Sequence, residues 1–150
     1  MGDDLDRAAT ADEIAYMKSQ LAQAMRDGSI GLSTGLFYDP AHAAPTEEVI
    51  ELASVLADYD GIYTTHMRDE ADHVVESVEE SIQIGASANV PIIISHHKCQ
   101  GKQNFGRSAE TLKIMAAARK TQSVALDIYC LLYTSPSPRD RSLSRMPSSA

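Results

Sequence analysis

The sequence predicts an α/β fold made of consecutive strand–helix units on a parallel sheet. Three observations carry this. Apolar stretches begin near Ile30, Ile62, Ile92 and Val124, 30 to 32 residues apart, and that interval is the length of one βα unit. Between them, apolar residues recur at the spacing of a helix face. The stretches themselves are nearly continuously apolar, as strands covered on both faces of a parallel sheet are. Four such units make either half of a (β/α)8 barrel or most of a small doubly wound sheet. Neither a G-x-G-x-x-G nor a Walker sequence occurs, so nothing points to a nucleotide fold.

The elements follow in order. Thr10 and Glu13 form a capping box for a first helix, with Ile14, Met17, Leu21 and Met25 at helical spacing and Asp27-Gly28 as its stop. IGLSTGLFY, 30–38, is a strand leading into a loop with Asp39-Pro40. Thr46 is expected to cap a second helix, which Asp60-Gly61 ends. IYTTHM, 62–67, is a strand, and HVVESVEESIQIGAS, 73–87, a helix with Val74, Val78 and Ile82 inward. PIIISH, 91–96, is a strand. Ser108 is expected to cap a helix carrying Leu112, Met115 and Ala116, and VALDIY, 124–129, is the fourth strand.

Residues 130–150, CLLYTSPSPRDRSLSRMPSSA, abandon this pattern for serine, proline and arginine. CLLYTSPSPRD and SRMPSSA can be back-translated, in order and in frame, into two pieces of an adapter used in transposase-based sequencing libraries. The expected division is therefore 1–129 as native sequence and 130–150 as an adapter-derived, non-native tail. The native part is expected to be an internal fragment of a larger gene, because no strand precedes the first helix.

Bulk properties narrow the function. The net charge of −8 argues against nucleic acid or an anionic membrane surface as the main partner. No apolar run approaches a membrane span, and the acidic N-terminus MGDDLDRAAT lacks the apolar core of a signal peptide. With two cysteines, Cys99 and Cys130, there is no disulfide framework, and a cytoplasmic location is expected.

The chemistry concentrates at two strand ends. His66 closes the second strand and His96 the third, one βα unit apart. In a parallel sheet this sets them side by side at the carboxyl edge, where sites are built. Two neighbouring imidazoles can share one metal ion or bridge two. A lone strand-end histidine is ordinarily structural; the matched spacing is what raises the metal reading. His97 is expected to face away from His96 by strand alternation, and Cys99 to be inert. Lys98, two residues beyond His96, faces the same way and could meet a substrate carboxylate or simply be solvated. Glu70 and Asp72 are read as acids favouring the start of the following helix.

GLSTGLFYDPAHAAPTEEVI, YTTHMRDE, ISHHKCQG, NFGRSAETL and LDIY together resemble the N-acyl-D-amino-acid deacylases (D-aminoacylases) of the amidohydrolase superfamily, over essentially all of 1–129. The resemblance implies a partial (β/α)8 TIM-type barrel of about four units and a zinc-dependent hydrolase releasing a D-amino acid and a carboxylate from an N-acyl-D-amino acid. It implies His66 and His96 as ligands of Zn2+. It implies Lys98 and Tyr129 as substrate contacts and Phe37 as part of an apolar pocket for the substrate side chain. The family's first-strand H-x-H pair, its upstream cysteine ligand and its last-strand general-base aspartate have no counterpart here, so the chain by itself is expected to be inactive. Competing readings are a dihydroorotase-like cyclic-amide hydrolase and a non-catalytic α/β binding domain.

Overall fold

A computed structural model describes residues 6–128. Four parallel strands pair in sequence order: β1 (Gly31–Gly35), β2 (Ile62–His66), β3 (Ile92–Ile94) and β4 (Val124–Leu126). Helix α1 (Ala11–Arg26) precedes the sheet. The short α2 (Asp39–His42) and then α3 (Thr46–Ala53) link β1 to β2, α4 (Val74–Ala88) links β2 to β3, and α5 (Ser108–Ala118) links β3 to β4. The α/β class and the parallel sheet match the sequence expectation. Tyr129, the tail 130–150 and the division between them lie outside the described residues.

Register sorts the strand residues onto two faces. Tyr63 pairs with Leu32 and Ile92, and Thr65 with Thr34 and Ile94; Ile92 and Ile94 continue to Val124 and Leu126. Along β2 burial alternates, Tyr63 and Thr65 being buried and Ile62, Thr64 and His66 half-buried. The buried set shares its core with Met25, Val49, Val78, Ile84 and Met115 from the helices, so this is the face the helices cover. Each fully buried aliphatic there contributes about 1.5–3 kcal/mol of transfer free energy. Helix α4 lies close against β3: a Cβ on Gly85 would stand 2.2 Å from Cγ2 of Ile92, so only glycine fits. The hydroxyls on this face pair with one another, Thr34 Oγ1 lying 2.7 Å from the Tyr63 hydroxyl and 2.9 Å from Thr65 Oγ1.

Several local expectations are corrected. The Thr10–Glu13 capping box is present, but Thr46 does not cap α3; Pro45 occupies that position, and the Thr46 hydroxyl donates to Glu80 Oε1 at 2.8 Å. Ser108 does not cap α5 either, because Arg107 stands there and donates to the Asp72 carbonyl instead. Leu112 is 48% exposed, whereas Thr111 and Met115 hold the inner face of α5. Thr111 is inward because its hydroxyl meets Nε2 of the buried His97 at 2.8 Å. The third strand ends at Ile94, two residues before His96.

Candidate metal centre

His66 ends β2 on the face away from the helices, the side of Ile62 and Thr64. Extending the register, in which Thr64 pairs with Ile93 and Thr65 with Ile94, sets Ser95, just past β3, beside it. Ser95 shares that face, its hydroxyl lying 2.9 Å from Thr64 Oγ1. Simple alternation would then send His96 to the helix side. It does not go there, because His96 takes a left-handed backbone with φ +43°. A non-glycine residue in that region is uncommon and persists only where its surroundings hold it. The Asp127 carboxylate accepts from the His96 N–H at 2.6 Å, and the Asp127 carbonyl accepts from the His97 N–H at 2.9 Å, so the end of β4 braces the turn. The turn brings the His96 ring to 4.3 Å from the His66 ring, centroid to centroid, and sends His97 into the core against α5.

A third residue completes the cluster. Ligand atoms of His66, Glu70 and His96 all lie within 4.8 Å of one another. The dipole reading of Glu70 is corrected here. Helix α4 begins only at Val74 and has no side-chain cap; Asp69 instead fastens the loop before it, accepting from the N–H groups of Ala71 and His73 at 2.7 and 3.1 Å. Asp72 also turns away from the dipole role, accepting from the side chains of Asn104 (2.9 Å) and Gln103 (3.0 Å), which hold its carboxyl below the usual range. Glu70 is 1% exposed. Its Oε1 lies 3.0 Å from His96 Nδ1, its Oε2 accepts from Gln100 Nε2 at 2.9 Å and pairs with the Lys98 ammonium, and Oε2 lies 3.7 Å from His66 Nε2. Glu70 stands four residues before the helix, outside the first turn in which the macrodipole acts.

Electrostatics favour neutral, ligand-competent imidazole at His66. Burial pushes its pKa down, with His96 and Lys98 acting in the same direction and Glu70 opposing. Nε2 of His66 is buried and makes no hydrogen bond. An orphaned buried nitrogen is costly in a core and expected where a metal is received. At His96, Nδ1 lies within hydrogen-bonding distance of both Glu70 Oε1 and Lys98 Nζ, the latter at 3.1 Å. When Nδ1–H donates to the carboxylate, Nε2 carries the lone pair a metal needs.

Aromatic groups border the histidines. Phe37, 47% exposed, lies 5.3 Å from the His66 ring, and Tyr38 lies 4.8 Å from it. Tyr38 has no place among the sequence-based candidates, although it is adjacent to one. Arg68 fastens the segment behind these rings, donating to the carbonyls of His42 (2.7 Å) and Ala44 (2.9 Å) and pairing with Glu80 at 2.8 Å. Cys99 packs half-buried against the core, and burial pushes its thiol pKa up. Of the residues singled out by sequence, the structure brings His66, His96, Lys98 and Phe37 to one end of the sheet.

No protein-family profile matches the chain. Individual proteins do. It is 53% identical over 126 residues to a D-aminoacylase of Alcaligenes xylosoxydans xylosoxydans, covering 84% of this chain and 26% of that protein. It is 48% identical over 128 residues to an N-acyl-D-aspartate deacylase of the same organism, covering 85% and 26%. The chain thus spans about a quarter of the length of the curated relatives it matches. Among solved structures, a D-aminoacylase described as defining a novel subset of amidohydrolases superposes with a TM-score of 0.83 at 52% identity, over 85% of this chain and 27% of that one. An N-acyl-D-glutamate deacylase from Bordetella bronchiseptica, solved with zinc and a phosphonate mimic of the tetrahedral intermediate, gives 0.82 at 42% identity over the same shares.

Proposed function

The chain belongs to the N-acyl-D-amino-acid deacylase (D-aminoacylase) family, and on that premise we propose that it is a sector of a zinc-dependent (β/α)8 amidohydrolase hydrolysing N-acyl-D-amino acids. The supporting observation is the orphaned Nε2 of His66, buried beside the His96 ring at the end of two parallel strands. His66 and His96 would hold Zn2+. Two imidazoles suit zinc, and a catalytic zinc site usually takes a third protein ligand, which the family supplies from outside this sequence. Bound there, zinc would supply Lewis-acid polarisation of the amide carbonyl and acidification of a water.

The chain's own residues do the rest of what falls to this sector. Lys98 offers its ammonium to the α-carboxylate of the substrate, orienting the scissile amide toward the histidines. Phe37 stands beside His66 as an apolar wall for the substrate side chain. Tyr129, which follows β4, is assigned a substrate contact on the family resemblance alone. The proton transfer to the leaving amine belongs to a general base outside this chain. The substrate is a small molecule; no helix among the described residues is long and apolar enough to cross a membrane.

The test is release of a D-amino acid from an N-acetyl-D-amino acid by the full-length protein that contains this sequence. Turnover should disappear with a chelator, return with zinc, and be absent from His66→Ala. Turnover that survives both zinc removal and His66→Ala would refute the assignment.

A further inference from the structure

Glu70 presents a problem that the proposed reaction does not solve. A carboxylate 1% exposed is expensive unless paired and hydrogen-bonded. Its close partners come from one short segment, at alternate positions: the ring of His96, the ammonium of Lys98 and the amide of Gln100, with His66 Nε2 farther off at 3.7 Å. The backbone repeats the tie, since the Gln100 N–H donates to the Glu70 carbonyl at 2.6 Å. Glu70 itself sits in the loop after β2, and that loop is fixed at Asp69, whose N–H donates to Ser77 Oγ at 2.9 Å. One buried group therefore joins the loop that follows His66 to the loop that carries His96 and Lys98.

Both groups it grips need holding. An imidazole at a strand end can rotate about its ring axis, and a carboxylate on one nitrogen sets the tautomer and direction of the other. Lysine carries a point charge on a flexible four-carbon stem, with no fork geometry to orient it. Glu70 confines both with one side chain, and Lys98 Nζ ends 3.1 Å from His96 Nδ1. Direct metal ligation by Glu70 is the rival role. Its oxygens are already engaged, Oε1 by His96 and Oε2 by Lys98 and Gln100, which favours a holder over a ligand.

We propose that Glu70 is a positioning residue: it locks the His96 ring and the Lys98 ammonium in one arrangement, so that the metal-binding nitrogen and the substrate-binding cation are presented together. This rests on the proposed deacylase reading of the same site.

The experiment compares full-length wild type, Glu70→Gln, Lys98→Gln and the double variant. It measures zinc stoichiometry at saturating zinc, zinc affinity by chelator competition, kcat and KM on an N-acetyl-D-amino acid, and folding by circular dichroism. Glu70→Gln should fold and still take up as much zinc as wild type at saturation. Its zinc affinity and kcat/KM should each fall about 10–100-fold. The loss in kcat/KM should be clearly smaller on the Lys98→Gln background, as expected for groups acting through one another. Values within about twofold of wild type overturn the proposal. So does complete loss of the zinc site, which would make Glu70 a ligand, and so does an equal loss on both backgrounds. Should Glu70→Gln not fold, Glu70→Asp carries the same measurements; failure of both to fold would make Glu70 a structural residue and overturn the proposal. A wild type with neither zinc nor turnover overturns the deacylase reading and this inference with it, whereas defeat in the variants alone leaves the deacylase reading standing.

Discussion

The two faces of the sheet are built from the same strands by opposite rules. On the helix-covered face Tyr63, Thr65, Ile92 and Ile94 are buried, and every hydroxyl is matched within the layer. On the other face Thr64, His66 and Ile93 remain half-buried, and His66 keeps a nitrogen without a hydrogen bond. One face spends its residues on packing. The other accepts a left-handed backbone at His96; a buried imidazole nitrogen without a hydrogen bond occurs on both sides, at His66 Nε2 and at His97 Nδ1 in the core, but only that of His66 belongs to a cluster of candidate ligands. Local departures of this kind gather at functional sites and persist because the rest of the structure holds them. Here the holding groups are Asp127 beneath the turn and Glu70 beside the ring.

Substitutions on the two faces should therefore separate activity from stability. The largest effect is expected at the site. His96→Ala in the full-length protein should lower kcat/KM by more than about 100-fold, beyond what loss of a supporting group does, while costing the zinc-free protein only about 0.5–1 kcal/mol in urea denaturation. A loss of stability comparable to a core substitution would erase the contrast. Next is the covered face. Ile94→Ala should cost about 2–5 kcal/mol by lost transfer energy and cavity formation, and Gly85→Ala about 1–3 kcal/mol by driving a methyl into Ile92. Zinc affinity of the folded protein should be unchanged in both. Weakened zinc binding in Ile94→Ala would show that the two faces are not independent.

The smallest effect is on pH dependence. Burial raises the Tyr63 phenol above its ordinary value of 10.0, with its hydrogen bonds to Thr34 and Thr65 opposing. A raised folded-state pKa means that this contribution to stability is fully present below about pH 10 and is lost as pH rises through the folded value. Melting temperature should fall more steeply above pH 10 in wild type than in Tyr63→Phe. Parallel slopes would mean that the phenol is not held in a dry layer.

How much of this was legible in the sequence depends on the range of the signal. The interval between Ile30, Ile62, Ile92 and Val124 reported the repeat and hence the parallel sheet, because that period is set by the unit itself. It also brought His66 and His96 to one edge. Strand parity is a weaker guide at His96 itself. The register leaves it one position beyond Ser95, and only the turn at φ +43° returns it to the site. That turn depends on Asp127, a distant partner no local pattern reveals. Glu70 was misread for the same reason. Its meaning lies in side chains 26 to 30 positions away, at His96, Lys98 and Gln100. Thr46 and Ser108 looked like caps by residue type, but Thr46 found a stronger partner in Glu80, and Arg107 stands ahead of Ser108. Caps are local preferences that tertiary contacts override.

The central claim is that His66 and His96 hold a metal together. The most direct measurement is anomalous diffraction at the zinc edge from crystals of the full-length protein. The account predicts a zinc peak bonded to an imidazole nitrogen of each histidine, with the Glu70 carboxylate against Nδ1 of His96. Zinc bound elsewhere, or no zinc and both imidazoles hydrogen-bonded only to protein groups, would contradict it.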